Sequence, residues 1–377
     1  MTKQMLQKIE KVADNSHRTV RRWLYRNTDV TIMPYVGYGY GYHIRLRGRV
    51  LENHTVQKSQ NDDSAWSNLR NIIRRFNSDE LPHVPITISF GGQAQTVITD
   101  EEGFFYAEFD IDEPLTGIWH TATLSYDDGR RQASAQAKIM VTPDDAQYAV
   151  VSDMDDTVIR SNVPNRIRLV ANTLFKNAHT RLPFRGVAEF YRALQAGTTS
   201  TTNPIYYVSN SPYNLHDLLQ EFFDLKNIPK GPIFLRDFGL TQRYVGASEN
   251  HKAVQINRLM DLHPELPFIL IGDSGEHDPD IYAEIVRQHP GRIAAIYIRD
   301  VRPGQEWKVN QRVQQLAEEI REQGVDMLLI PDTLVAAQHA VEQGFISQDA
   351  VAHVVQEVKD DAPSNPIEAF MDDMSEQ

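Results

Sequence analysis

Val150-Val151-Ser152-Asp153-Met154-Asp155-Asp156-Thr157 is the stretch on which the reading of this chain turns. An apolar run that stops at acidic residues suits a buried parallel strand whose C-terminal end opens into a crevice, where open α/β sheets bind their ligands. Asp153 would stand at that edge. A carboxylate there can attack phosphorus and form an aspartyl-phosphate, which divides one hard displacement into two easier ones. Asp155, two residues on, is placed to protonate the leaving oxygen and later to deprotonate the hydrolytic water. Two clustered carboxylates also invite a hard cation, and magnesium needs only one or two of them because it keeps waters and shares its shell with substrate phosphate. The Thr157 hydroxyl can hold the turn. The plainer reading is an Asp-rich turn after a strand, and the rest of the chain decides between the two.

Three further segments set reactive residues beside apolar runs, in an order that one parallel sheet could gather around one crevice. Ile205–Val208 runs into Ser209-Asn210-Ser211-Pro212, a strand followed by hydroxyl and amide donors for phosphoryl oxygens. Phe268–Ile271 runs into Gly272-Asp273-Ser274-Gly275-Glu276-His277-Asp278, where glycines let the backbone bend and acidic groups can complete a metal shell. Lys252 precedes Ile256, Leu259, Met260 and Leu262, a helical spacing that leaves its ammonium near a helix start. Taken singly, the first is more often a turn and a lone lysine usually faces solvent. Together they supply a nucleophile, phosphoryl donors, a cation for developing charge and metal carboxylates.

The four segments, in this order, resemble motifs one to four of the haloacid dehalogenase superfamily of phosphotransferases. More narrowly, Ser152–Thr157, Tyr207–Pro212, Gly231–Leu235, Phe268–Asp278 and Ile296–Arg299 resemble the actin-patch-associated phosphatidate phosphatase family, over roughly residues 146 to 300 and weakly to about 345. The resemblance implies a doubly wound parallel-sheet α/β catalytic domain of haloacid dehalogenase type, preceded here by an all-β sandwich. It implies Asp153 as nucleophile and Asp155 as general acid/base, with Ser209, Asn210 and Lys252 binding the phosphoryl group. It further implies Mg2+ held by Asp153, Asp155 and Asp273 with support from Asp278, and phosphatidate as the substrate, hydrolysed to diacylglycerol. Glu276 and His277 belong to the family string with no role assigned. The chain departs from the family at Val158-Ile159-Arg160, where a lysine often follows the threonine; that bears on head-group selectivity.

With 377 residues two substantial cores are expected, and a formal net charge of −13 argues against nucleic acid as partner. There is no cysteine, so disulfide frameworks and thiolate zinc sites are excluded. No apolar run reaches the length of a membrane span and no leader-like segment is visible. A cytoplasmic protein is expected, peripheral to a membrane if its substrate is a phospholipid at a membrane surface. Four regions follow. Residues 1–28 read as a basic amphipathic helix, with Met5, Ile9, Val12, Val20, Trp23 and Leu24 near one face. Residues 29–145 read as a β-sandwich with a helical insertion near 64–76; its period-two strands include Ile44–Val50, Val84–Phe90, Phe104–Phe109 and Thr121–Tyr126. Thr99-Asp100-Glu101-Glu102-Gly103-Phe104 resembles the hairpin of prealbumin-like modules. The run Tyr35–Tyr42, alternating Tyr and Gly from position 37, suits either a membrane-interface contact or packing between domains. Residues 146–345 form the phosphatase domain with a small, basic and apolar cap near 160–185, and 346–377 a C-terminal helix and acidic tail, solvated from Val355 onward. Asp300 and Asp332 each follow a strand and could reach the same crevice, but an Asp there is more often a helix cap, and both are left outside the site. Two other functions compete with the lipid phosphatase. One is hydrolysis of a soluble phosphomonoester; the other is a non-catalytic membrane or partner-binding scaffold, against which the complete carboxylate set argues.

Overall fold

The computed structural model describes residues 29–53, 79–113, 115–154, 185–199, 201–236, 251–301 and 307–360. The expected N-terminal helix, the helical insertion near 64–76, the cap near 160–185 apart from Arg185, the tail from 361 onward, and Asp155 lie outside the described residues.

Alternation of apolar and polar residues builds the first half. Strands β1 (Asp29–Pro34), β2 (Gly37–Tyr40), β3 (His43–Asn53), β4 (Asp79–Glu80), β5 (Pro85–Phe90), β6 (Gln93–Ile98), β7 (Phe104–Asp110), β8 (Trp119–Asp127) and β9 (Gln132–Thr142) join in one sheet. Its path is β1-β3-β2-β9-β8-β5-β6, with β4 and β7 also paired to β3. Every pairing is antiparallel except β2 with β9. On β5, Ile86, Ile88 and Phe90 turn inward, and on β8 Ala122, Leu124 and Tyr126 do the same. Where two facing sheets were expected, a single hydrogen-bonded sheet curls on itself. The Gln93 and Gln95 side-chain amides of β6 donate to the Asp110 and Glu108 carbonyls of β7, at 3.0 and 2.9 Å, and so bring its ends together around the apolar core.

The second half is a parallel sheet of β10 (Ala149–Asp153), β11 (Ile205–Pro212), β12 (Ile233–Arg236), β13 (Phe268–Asp273), β14 (Ile293–Arg299) and β15 (Met327–Ile330), in the order β12-β11-β10-β13-β14-β15. Its helices are α1 (Val187–Ala196), α2 (His216–Leu225), α3 (His251–Leu262), α4 (Asp278–Gln288), α5 (Trp307–Arg321), α6 (Thr333–Glu342) and α7 (Gln348–Asp360). They cover both faces. Helices α1, α2, α6 and α7 share a core with Val150, Ile205, Tyr207, Ile269 and Tyr297. Helices α3, α4 and α5 pack with Val151, Tyr206, Val208, Leu270 and Ile296 on the other face. Burial on both faces is why these strands read as continuous apolar runs, and this half is doubly wound as expected. The chain builds β10, β11 and β12 outward on one side and then returns to place β13 on the other side of β10. That reversal leaves a crevice at the C-terminal ends of β10 and β13.

Two expectations change. Helix α7 packs on α1 and α6, and the Glu357 carboxylate accepts from the Glu189 amide at 2.7 Å and pairs with Arg192 at 3.0 Å. The acidic residues from Val355 to Asp360 therefore belong to a docked helix rather than to a solvated tail. The tyrosine-glycine run is packing between the two halves. Tyr35 stacks on Tyr213 with centroids 5.2 Å apart, Tyr38 meets Phe234 edge-on at 5.1 Å, and Tyr40 meets His263 at 5.0 Å. Gly39 permits this close course, since a Cβ there would lie 2.5 Å from the His43 carbonyl oxygen. The seam also holds polar groups: the Tyr206 hydroxyl is 3.0 Å from the Thr142 hydroxyl and 2.8 Å from His263 Nε2. Burial pushes the His263 imidazole down to about 3, so the seam is made with a neutral ring.

Candidate active site

Strand β10 ends at Asp153, held between β11 and β13, where Asp153 pairs in register with Val208. Ser209 is the next residue of β11, fully buried, and its hydroxyl oxygen accepts from the Ser211 amide at 3.0 Å. Asp273 is the last residue of β13. Its Oδ1 accepts from the Gly275 and Glu276 amides at 2.7 and 3.1 Å, which curls the following loop back over the strand end. Asp278 opens α4 with Pro279 behind it, and its Oδ2 accepts from the Asp273 amide at 3.2 Å. These elements bring the site residues predicted from separate segments to one edge of the sheet.

Lys252 is the centre of the arrangement. The apolar positions Ile256, Leu259 and Met260 pin α3 to the sheet, and Lys252 in its first turn is carried into the crevice, 2 % exposed rather than facing solvent. Its Nζ lies 2.8 Å from Asp153 Oδ1, 2.7 Å from Asp278 Oδ1 and 2.9 Å from Glu276 Oε2. Three carboxylates around one ammonium leave a formal charge of −2 if all are ionised, in a place where desolvation makes uncompensated charge costly. A divalent cation is the ordinary remedy, and these oxygen donors suit a hard one. One carboxyl oxygen each of Asp153, Glu276 and Asp278 lies within 4.8 Å of the other two, a group among the described residues that could hold a cation.

Glu276, to which the sequence reading assigned no role, is thus part of the site. It touches both Lys252 and Asn210, whose side-chain amide donates to Glu276 Oε2 at 3.4 Å. The available signal was its place three residues after Asp273, within the amide turn that Asp273 caps. A second residue missed was Tyr191. The Ser152 hydroxyl donates to the Asp153 carbonyl at 3.1 Å and lies 2.7 Å from the Tyr191 hydroxyl. With the serine proton used in that way, Tyr191 is the donor to Ser152. Burial raises the Tyr191 phenol above its ordinary range and keeps it protonated. No sequence signal marked Tyr191, because an aromatic residue at helical spacing reads as core. Asp332 caps α6 by accepting from the Val335 amide at 3.1 Å, as expected of a residue outside the site.

Residues 148–300, which include every described member of this cluster, match the family described as phosphatidate phosphatase APP1, catalytic domain. A Saccharomyces cerevisiae protein named phosphatidate phosphatase APP1 is 34% identical over 152 residues, 40% of this chain and 25% of that protein. An uncharacterized protein of Schizosaccharomyces pombe is 33% identical over 155 residues, 41% of this chain and 25% of its own length. The chain thus aligns with about a quarter of the length of the curated relatives it matches. Among solved structures, a carbohydrate acetylesterase from Xanthomonas citri covers 76% of this chain and 75% of its own at a TM-score of 0.25 and 11% identity, a likeness too slight to carry an argument. No helix among the described residues is long and apolar enough to cross a membrane.

Proposed function

We infer that this chain is a phosphatase, on the premise that its residues 148–300 belong to the family of phosphatidate phosphatase APP1 catalytic domains. The reaction is hydrolysis of a phosphate monoester, with phosphatidate as substrate and diacylglycerol as product. The observation that carries the mechanism is the Lys252 ammonium, buried and 2.8 Å from the Asp153 carboxylate at a strand end. That ammonium holds the nucleophile in place and faces the position where charge develops on the phosphoryl oxygens.

In this mechanism an Asp153 carboxylate oxygen attacks phosphorus while the bond from phosphorus to the ester oxygen breaks. The leaving oxygen takes a proton from Asp155. A water then gives its proton to Asp155 and attacks the aspartyl-phosphate, which releases phosphate and restores the Asp153 carboxylate. Ser209, Asn210 and Lys252 bind the phosphoryl oxygens throughout. Mg2+, held by Asp153, Asp155 and Asp273 with Asp278 in support, would neutralise charge on the phosphoryl group. The clustered carboxyl oxygens of Asp153 and Asp278 and the formal charge of −2 around Lys252 support their part in that assignment, and Glu276 joins them in the cluster where Asp273 does not. The fold reading, a haloacid dehalogenase-type domain, is supported by the parallel sheet with helices on both faces and the nucleophile at its switch point. The protein would work at the surface of a cytoplasmic membrane leaflet, where a water-insoluble substrate resides.

The test is phosphate release from phosphatidate in mixed micelles and from a soluble aryl phosphate, with magnesium or chelator, for the wild type and Asp153→Asn. Magnesium-dependent release from phosphatidate, abolished by the substitution, is expected. Release from the soluble ester alone would keep the chemistry and remove the lipid. No release from either substrate would replace the enzyme with a binding scaffold.

A further inference from the structure

Between the two halves of the molecule lies a cleft of about 550 Å³, walled by β2, β3 and β7 on one side and by β12 and α3 on the other. Its volume is that of sites which hold small organic molecules. Asp153, Ser209, Lys252, Asp273, Glu276 and Asp278 are absent from its lining. Phe234, which is part of that lining, is in register with Val208, which is in register with Asp153. The cleft is therefore displaced sideways from the nucleophile by two strands, about 10 Å at the usual strand spacing.

Two kinds of chemistry meet there. Tyr106, 38 % exposed, and the partly buried Tyr38 present aromatic surface, while Tyr213 is buried with Tyr35 stacked on it and Arg47 over its ring. Arg45, Arg47 and Arg258 bring three guanidinium groups against the carboxylates of Glu108 and Asp261. The Arg47 guanidinium lies 3.7 Å from the Tyr213 ring centroid and 4.6 Å from that of Tyr106, so ring faces set its orientation. Arg45 is paired with Glu108 at 3.2 Å and remains partly exposed. The positive excess is felt nearby. His251, one turn before Gln255 of the cleft wall, is pushed down to about 4 by burial, opposed next by its hydrogen bond to the Phe234 carbonyl, with smaller lowering contributions from Arg236, Arg258 and Arg47. A local excess of guanidinium in a chain of formal net charge −13 attracts anions against the overall field.

We propose that this cleft binds a phosphate-bearing ligand with an apolar or aromatic body, at a site separate from Asp153. Guanidinium forks match phosphate oxygens in geometry and charge, and tyrosine faces take the body of such a molecule. The site stands whether or not the chain hydrolyses phosphatidate, since none of its residues takes part in that reaction.

The full chain carrying Asp153→Asn, kept in chelator so that nothing turns over, is titrated with phenylphosphonate by calorimetry. The same protein is co-sedimented with phosphatidylcholine vesicles containing an anionic phospholipid. Saturable binding is expected, weakened at least about tenfold by Arg45→Ala combined with Arg258→Ala, as loss of charge-assisted hydrogen bonds requires. Adding Lys252→Met to the Asp153→Asn chain removes a phosphoryl contact of the catalytic crevice and should leave the component of binding that depends on Arg45 and Arg258 in place, which separates the cleft from that crevice. Tyr106→Ala, at an exposed position, should weaken the phenylphosphonate arm as well and guards against a folding defect in the double variant. Arginine-dependent binding of the phosphonate alone assigns a soluble phosphate ester; arginine-dependent binding of vesicles alone assigns a lipid head group. Binding of neither probe, or binding indifferent to the arginine substitutions, overturns the proposal.

Discussion

Gly272→Ala is the most exacting perturbation of the site, because it adds one carbon and removes no functional group. The new Cβ would meet Asp278 Oδ2 at 2.5 Å, Asp278 Cβ at 2.8 Å and Tyr282 Cε2 at 2.8 Å, where ordinary contact begins at 3.4 Å. Tyr282 is fully buried and its hydroxyl donates to the Ile271 carbonyl at 3.0 Å, so the ring is poorly able to yield. The Asp278 carboxylate must then retreat by about 0.9 Å, the difference between 3.4 and 2.5 Å. A retreat of that size stretches the 2.7 Å bond from Lys252 and the 3.2 Å bond from the Asp273 amide beyond useful length. Overpacking of this kind costs about 1–3 kcal/mol of stability. A misplacement near 1 Å in a catalytic constellation costs on the order of 10²-fold in rate. The assay is phosphate release under saturating magnesium, paired with a thermal midpoint to show that the variant is folded. A folded Gly272→Ala protein that works within twofold of the wild type would refute the reasoning that turnover needs the Asp278 carboxylate where it meets Lys252 and the Asp273 amide.

Further outcomes are expected elsewhere in the molecule. Lys252→Met should lower kcat by about 10²-fold or more, because the cation proposed to face the phosphoryl oxygens is lost; Lys252→Arg should fail to restore it, since a planar fork does not reproduce a point charge among three carboxylates. Retention of kcat within threefold in the Met variant would sink this. Tyr191→Phe removes the 2.7 Å partner of the buried Ser152 hydroxyl and should cost roughly 1–2 kcal/mol, read as a lower urea midpoint. His251 and His263 are depressed from the ordinary 6.5 to about 4 and about 3, so below pH 6.5 the unfolded chain takes up protons that the folded chain refuses. Stability is therefore lost as pH falls through that window, by about 2 kcal/mol for each histidine between pH 7 and pH 5. Urea midpoints at the two pH values should diverge in the wild type and diverge by about half as much in His263→Gln; an unchanged divergence in the variant would count against the buried neutral ring.

The parallel half was legible because its strands are buried on both faces, so each reads as an unbroken apolar run ending in a polar residue. Asp153, Ser209 and Asp273 could be placed at one sheet edge on that basis alone. Asp332 was legible as a cap, since its role depends on an amide three residues away. The first strand, Asp29–Pro34, gave no clear periodic signal, and the curl that joins β6 to β7 rests on two glutamine side chains whose partners lie 17 and 13 residues on. The burial of Lys252 was not legible either. A lysine at a helix start faces solvent unless something in the fold meets it, and here three carboxylates do, Asp153 from the end of β10 and Glu276 and Asp278 from the connection between β13 and α4.

What the sequence by itself determined is local: which segments of the described halves are strands and helices, which carboxylates end which strands, and which hydroxyl, amide and ammonium groups stand beside them. These follow from periodicity and residue chemistry, whose range is a few residues. Only the tertiary structure decided that Glu276 turns back onto Lys252 and Asn210, that Tyr191 holds Ser152 beside Asp153, that the tyrosine-glycine run is a seam, and that α7 docks. Each of these depends on groups brought together by chain reversal and by packing across a sheet, and no local pattern encodes such distances.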